Sequence, residues 1–592
     1  GGWPRTGLDQ RAAFRAFGSL CADAFCAALA TDPERAIRVG ERLALARAHD
    51  FPVLGYGTLP KPTGEGWHAD ALHDYGWERR YFARSDFVAA QVRADVKIPW
   101  ELSRLQWLVW LAEGALVAES AEQEAITAQI LGTIEDWATA NPAGYGINWA
   151  CGMEVAIRAA NLAVAVGTIA HLLNDMQLDR ITSILAAHRD YLARFPETSD
   201  VPGNHYLTDL MGEVVLYAAL EGLGSANLTH SLAKFAEAAD AQFEVAGCHI
   251  ERATVYHRLT FDIVALPQAL ALRAGDPSAS KLASIIKRAA AFMAQVCDDS
   301  GSLPGFGESA QAVDARVCKA PQSGETDLYG FLGELVRDAA FFPDIVRETG
   351  QRSGFATVVG DSFRATMKTG PIGLDGRAAH DHDDALSVCA SFDGRAVLID
   401  PGCHSYTLDP ALRREFLLSS RHNAPAPAMR ERHEPTSGSI NVTMRGAPTA
   451  QLLTWSEDKA EGHVASTPTL GMAITLTVHA NAGTLDIVDR WQFARPEAAR
   501  IFWLFDPSWE LLDAGSPSEE RSSALGNVRS LILQSAGATL SAHIEAPVGS
   551  SIVCTRTRYS PDYGALETCW AVEIRTSAAL EGKVRLGLSV QQ

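Results

Sequence analysis

The hydrophobic period of the chain changes near residue 350, and that change limits the folds open to it. From about Ala12 to Phe342, apolar residues recur at helical spacing. Leu207, Leu210, Met211, Val214, Val215 and Ala218 follow i, i+3, i+4, i+7, i+8, i+11, which is one face of an amphipathic helix. The same period predicts helices over Pro99–Leu116, Ala121–Ala138, Met153–Leu173 and Leu282–Val296, punctuated at Pro142–Gly146, Pro202–Gly203 and Gly301–Gly307. Beyond residue 350 the segments shorten. Ala385–Phe392, Ala396–Asp400, Ala473–Val478, Thr484–Phe493 and Val528–Gln534 are rich in Val, Ile, Leu and Thr and are bounded by Gly, Asp, Asn and Ser turns, the pattern of antiparallel strands. The expected architecture is multidomain α+β: a helical domain over 1–350, then an antiparallel β-sandwich over 351–592, with the boundary between Thr349 and Val358.

Composition narrows the function classes. Of 592 residues, 47% are hydrophobic and 21% charged, which excludes a mainly disordered or fibrous chain. A formal charge of −20 argues against a general nucleic-acid or anionic-membrane binder. No uninterrupted apolar run approaches the ~18 residues of a membrane span; Leu162–Leu173 comes nearest. Ten cysteines without CxxC spacing read as free and mostly buried. No signal peptide is visible, and a Gly-Gly start fits a cytosolic, a mature or a trimmed chain, so the compartment stays open.

Four polar clusters interrupt the core pattern. Pro202-Gly203-Asn204-His205-Tyr206 precedes a helix, so Asn204 reads either as its N-cap or as a donor aimed, with His205, at an anionic ligand group. Glu251 through Arg258 opens another helix, and Tyr256 there reads as a rim residue or a catalyst. His380-Asp381-His382-Asp383-Asp384 leads into a strand; in extended backbone, period two would put His380, His382 and Asp384 on one face. Asp400-Pro401-Gly402 and Arg421-His422-Asn423 form the fourth cluster. His382, Asp400 and His422 together offer two imidazoles and one carboxylate, a plausible Zn²⁺ or Mn²⁺ set.

Taken in order, these residues resemble the heparinase II/III-like polysaccharide lyases, a family that includes heparin/heparan, alginate and exopolysaccharide lyases. The carriers are Trp100-Glu101-Leu102-Ser103-Arg104, Met153 through Ala159, Asn204-His205, Glu251 through His257, His380-x-His382-x-Asp384-Ala385-Leu386-Ser387, Asp400-Pro401-Gly402 and His422-Asn423. Residues after 423 carry no specific match. The resemblance implies an N-terminal (α/α) toroid followed by a β-sandwich, in agreement with the change of period.

The resemblance also implies a chemistry: β-elimination in a uronic-acid polysaccharide, whether glycosaminoglycan-like, alginate-type or a bacterial exopolysaccharide. The C6 carboxylate is neutralised, the C5 proton removed and the C4 oxygen expelled. It assigns Asn204 and His205 to the carboxylate and makes Tyr256 and His380 the base and acid, without saying which is which. It makes His382, Asp400 and His422 ligands of one structural divalent metal, with zinc favoured. Trp100, Arg104, Glu251, Arg252, His257 and Arg421 become candidate substrate contacts, although Arg104 and Arg158 could equally be structural; Glu154 lies four residues before Arg158 on one helical face. No organic cofactor is implied, the partner is an anionic polysaccharide, and the location is periplasmic or secreted. A non-catalytic carbohydrate-binding protein of the same fold is the other reading. One departure bears on substrate: Asp381 and Asp383 stand where the family often has Gly and Ala, and the negative charge they add near the site counts against a highly sulfated polymer more than against lyase chemistry.

Overall fold

A computed structural model describes residues 8–87, 93–308, 332, 334–337, 349–437, 442–513 and 527–591. The chain divides into two compact units. One comprises Gly1–Phe243, Leu259–Lys287 and Pro321–Asp344, the other Glu244–Arg258, Arg288–Ala320 and Ile345–Gln592. Helices give way to strands at Gly350, but compactness does not follow that point: two earlier segments, including the one with Tyr256, cluster with the strands. The end of the helical stretch toward Phe342 lies outside the described residues.

The first unit is built from helices α1 (Leu8–Thr31), α2 (Pro33–Ala48), α3 (Lys97–Ser103), α4 (Trp107–Val117), α5 (Ser120–Ala140), α6 (Gly152–Thr168), α7 (Asp175–Arg194), α8 (Asn204–Glu221) and α9 (Ala226–Gln242), with α10 (Thr254–Ala274) and α11 (Ser278–Val296) belonging partly to it. Helices α6 and α8 are buried on nearly every side and pack on each other, and α1, α4, α7 and α9 cover one or both of them. Such all-round burial marks inner helices, whereas α9 buries only one stripe, Leu228, Leu232, Phe235, Ala236 and Ala239 among it. This is the (α/α) toroid. Helix α1 is long and apolar enough to cross a membrane by length and composition. Its Phe14, Phe17, Cys21, Phe25 and Ala28 are buried at helical spacing, and Arg11 pairs with Asp179 of α7. The expected helix Pro99–Leu116 is broken in two, because Leu105 takes the left-handed conformation (φ 55°). Two small hairpins, Asp50–Pro52 with Thr58–Pro60 and Ala69–Asp70 with Tyr75–Gly76, are too short to display a period.

The second unit is antiparallel. Strands Gly350–Arg352, Phe355–Val359, Phe363–Lys368, Val388–Phe392 and Arg395–Leu398 form a five-stranded meander. An eight-stranded sheet runs, in spatial order, through Ala450–Trp455, Lys459–Val464, Met472–Asn481, Thr484–Glu497, Ala579–Val590, Ala538–Ala546, Asn527–Ser535 and Glu510–Asp513. A four-stranded sheet completes the sandwich. One continuous core joins them, from Val358 and Phe363 through Ile474, Leu476, Ile487 and Trp503 to Leu588. Each such side chain stabilises the fold by ~1.5–3 kcal/mol on burial.

Candidate active site and metal centre

In the second unit, Tyr256 and His380 stack face to face, ring centroids 3.4 Å apart and planes 7° from parallel. Tyr256 lies in the first turn of α10, and His380 is delivered by an irregular loop between two strands. The Tyr256 hydroxyl is 2.5 Å from that of Tyr406, which in turn lies 3.2 Å from His380 Nδ1. Nδ1 also faces Glu308 Oε2 at 2.8 Å, and Arg413 Nε donates to Glu308 Oε1 at 2.9 Å. Burial pushes the Glu308 carboxyl up, but Arg413 and His380 outweigh it and hold the group well below the usual carboxylate range. A carboxylate fixed on Nδ1 makes Nδ1 the donor and leaves the lone pair of a neutral imidazole on Nε2. Tyr256 is pushed the other way: burial, then the negative Glu308, raises its phenol well above 10.

A close approach holds this cluster together. Glu308 N–H donates to the His380 carbonyl at 2.8 Å, and Gly307 (φ 79°) leaves room for it; a Cβ there would lie 2.6 Å from the same oxygen. Tyr406, Glu308 and Arg413 were absent from the sequence reading. No local pattern marks them, and they join Tyr256 and His380 only through packing.

His382, Asp400 and His422 converge, with ligand atoms all within 4.8 Å of one another and every residue buried. Asp400 faces His422 Nδ1 at 2.8 Å and His382 Nδ1 at 3.7 Å. Both ring nitrogens of His382, and Nε2 of His422, are buried without a hydrogen-bond partner among the described residues. Orphaned buried nitrogens are costly, and here they converge with a carboxylate, so the donors fit a zinc-type ion.

The period-two expectation for residues 380–384 is corrected. The segment is not a strand, and its side chains divide three ways. Asp381 and Asp384 both pair with the buried Lys368 ammonium, Asp384 at 2.6 Å, and Asp383 lies 3.5 Å from Arg432. All three aspartates are fully buried and meet these two cations inside the fold instead of facing a substrate.

In the first unit, Asn204 is not the cap of α8. Gly203 holds that position, and Asn204 is the first helical residue and is buried. His205 beside it is exposed, its Nδ1 2.6 Å from Glu197 Oε2.

Most of the expected substrate contacts are placed in the interior. Trp100 packs in a core with Val96 and Met153, its indole N–H on the Ile147 carbonyl. Arg104 is clamped by Glu154 through two 2.7 Å bonds and by Glu101 at 2.6 Å. That leaves Arg158 without the expected Glu154 pairing; it donates to His188 and the Asn148 carbonyl and lies over Trp137. Arg252 donates to the Ser353 carbonyl and Glu244, and Arg421 to Thr557 and the Arg558 carbonyl. His257 is fully buried on backbone groups, and burial drives its pKa down to about 3. Glu251 is buried 3.9 Å from His380 Nε2.

A helical toroid and an antiparallel sandwich carrying a paired Tyr and His resemble the architecture of polysaccharide lyases. Residues 347–580 match the family model described as heparinase II/III-like, C-terminal. Among solved structures, it is similar to heparinase III (14% identity, TM-score 0.62, covering 86% of this chain and 79% of that one). It is also similar to the heparan sulfate lyase HepC from Pedobacter heparinus (15%, 0.52, 94% and 83%). A third is the chondroitin AC lyase of Streptomyces coelicolor A3 in complex with chondroitin sulphate (13%, 0.51, 97% and 80%). At these identities the likeness is one of fold. No curated protein matches the sequence.

Proposed function

We propose that the protein is a polysaccharide lyase that cleaves a uronic-acid-containing polymer by β-elimination. The observation that carries this reading is the Tyr256–His380 stack with Tyr406 linking both polar ends. His380 Nε2, with Glu308 fixing the tautomer, takes the C5 proton. Tyr256, kept protonated by its surroundings, gives its proton to the C4 oxygen as the C4–O bond breaks and the C4=C5 bond forms. Tyr406 offers the route by which the Nδ1 proton of the imidazolium passes to the phenolate; loss of the proton gained at Nε2 to solvent and uptake of one at Nδ1 then restore the starting tautomer. Asn204 and His205 take the neutralisation of the C6 carboxylate, where charge develops.

His382, Asp400 and His422 would hold one zinc ion, whose contribution is to tie three loops together. The substrate is a glycosaminoglycan-like polymer or a bacterial exopolysaccharide, with alginate next, and such polymers are met in the periplasm or outside the cell. The test is a screen of metal-replete protein over heparan sulfate, heparin, hyaluronan, chondroitin, alginate and exopolysaccharides, read by the ultraviolet absorbance of the unsaturated uronate. Saturated products would point to hydrolysis. Binding without turnover on every polymer would favour the non-catalytic reading.

A further inference from the structure

A second group of ligating side chains lies in the helical unit, apart from the zinc-type triad. Cys151 precedes the first residue of α6, Glu197 follows α7 in a loop, and His205 is in the first turn of α8. Their ligand atoms converge: Cys151 Sγ lies 3.7 Å from Glu197 Oε2 and 3.8 Å from His205 Nδ1, and those two are 2.6 Å apart. Around a tetrahedral zinc, with bonds of ~2.3 Å to sulfur and ~2.0 Å to nitrogen and oxygen, sulfur-to-nitrogen and sulfur-to-oxygen edges are about 3.6 Å. The two sulfur edges are therefore already in place. Only the His205–Glu197 separation must open, as it does when a shared proton is exchanged for a metal ion.

The donors are also held. Glu197 is seated by the Gly152 and Met153 N–H groups at the start of α6, and its own N–H is fixed on Asp209 at 2.7 Å. Cys151 is buried, while His205 is exposed and Glu197 half-buried, so an ion can enter from the imidazole side. A thiolate, a carboxylate and an imidazole balance a divalent charge and select a borderline-soft transition ion over Mg²⁺ or Ca²⁺.

We propose that Cys151, Glu197 and His205 form a binding site for a divalent transition metal such as Zn²⁺, and that occupation inhibits the enzyme by withdrawing His205 from the substrate carboxylate. The inhibitory half rests on the role given to His205 above; the metal site does not. Titrating the full chain with Co²⁺ tests the site, because a thiolate ligand adds a near-ultraviolet charge-transfer band that His382, Asp400 and His422 cannot give. The expected result is a saturable band in the wild type that is missing from Cys151→Ser and displaced by Zn²⁺. No band, or an equal band in Cys151→Ser, overturns the proposal. Zinc inhibition is then read on each variant relative to its own metal-free rate, and the inhibitory concentration should rise at least tenfold in Cys151→Ser. A Cys151-dependent band without any inhibition would uphold the site and refute the role of His205.

Discussion

Asp489 offers a test of the sandwich core that is independent of any activity. It sits on the inward face of strand Thr484–Glu497, level with Leu476 on one neighbouring strand and Val584 on the other, between the inward-facing Ile487 and Trp491. It is fully buried, and neither carboxylate oxygen has a hydrogen-bond partner among the described residues. Burial alone pushes its pKa from 3.8 up to about 8. Folded, the group stays protonated up to that pH; unfolded, it ionises above 3.8. Stability should therefore fall as pH rises between those values and level off above about 8. At 1.36 kcal/mol per pH unit, the loss is about 2 kcal/mol at pH 5 and about 4 kcal/mol at pH 7.

Asp489→Asn keeps the shape and the neutral polar character but cannot ionise. The variant should be more stable than the wild type by about 2 kcal/mol at pH 5 and about 4 kcal/mol at pH 7. Denaturant unfolding followed by tryptophan fluorescence at the two pH values measures the difference. An advantage that does not grow with pH, or a variant less stable than wild type at pH 7, refutes the argument.

Tyr256→Phe removes the proton donor and keeps the ring on His380, so kcat on any active polymer should fall at least ~10²-fold with an unchanged melting temperature; near-full activity would refute the assignment. Tyr406→Phe leaves both catalytic groups but cuts their link, and kcat should fall ~10-fold or more with KM little changed. A wild-type rate there would exclude Tyr406 from the proton route. Chelation should lower the melting temperature and zinc should restore it, with ~1 ion per chain held at His382, Asp400 and His422 after exhaustive dialysis. If elemental analysis finds no metal and His382→Ala melts like the wild type, that centre must be abandoned.

The two textures were legible because period is a local property: each strand or helix displays its own buried face. The core of the Tyr–His site was legible only through the family resemblance, since Tyr256 in isolation reads as a rim residue. Tyr406, Glu308 and Arg413 were not legible at all. Tyr406 is 150 positions from Tyr256, and Glu308 is 72 from His380 and 105 from Arg413, so nothing short of the fold brings them together. Arginines misled for a related reason. The sequence identifies Arg104, Arg252 and Arg421 as cations but does not say whether each faces a polymer or a buried carboxylate or carbonyl, and the fold turns all three inward.

Residues 380–384 join these lessons and bear on the substrate. The sequence reading put His380, His382 and Asp384 on one face of an extended segment and took Asp381 and Asp383 as negative charge set against a highly sulfated substrate. Instead His380 goes to Tyr256 and Glu308, and His382 to Asp400 and His422, while Asp381 and Asp384 share Lys368 and Asp383 meets Arg432. A buried carboxylate pair around one ammonium is stable only while all members are present, because removing the lysine would leave two uncompensated charges inside the protein. Lys368 and the two aspartates are therefore one unit that braces the loop bearing His380 and His382, and the extra acidic residues serve that loop. Fully enclosed, they present no charge to a polymer, so their presence gives no ground for preferring an unsulfated uronate chain over a sulfated one.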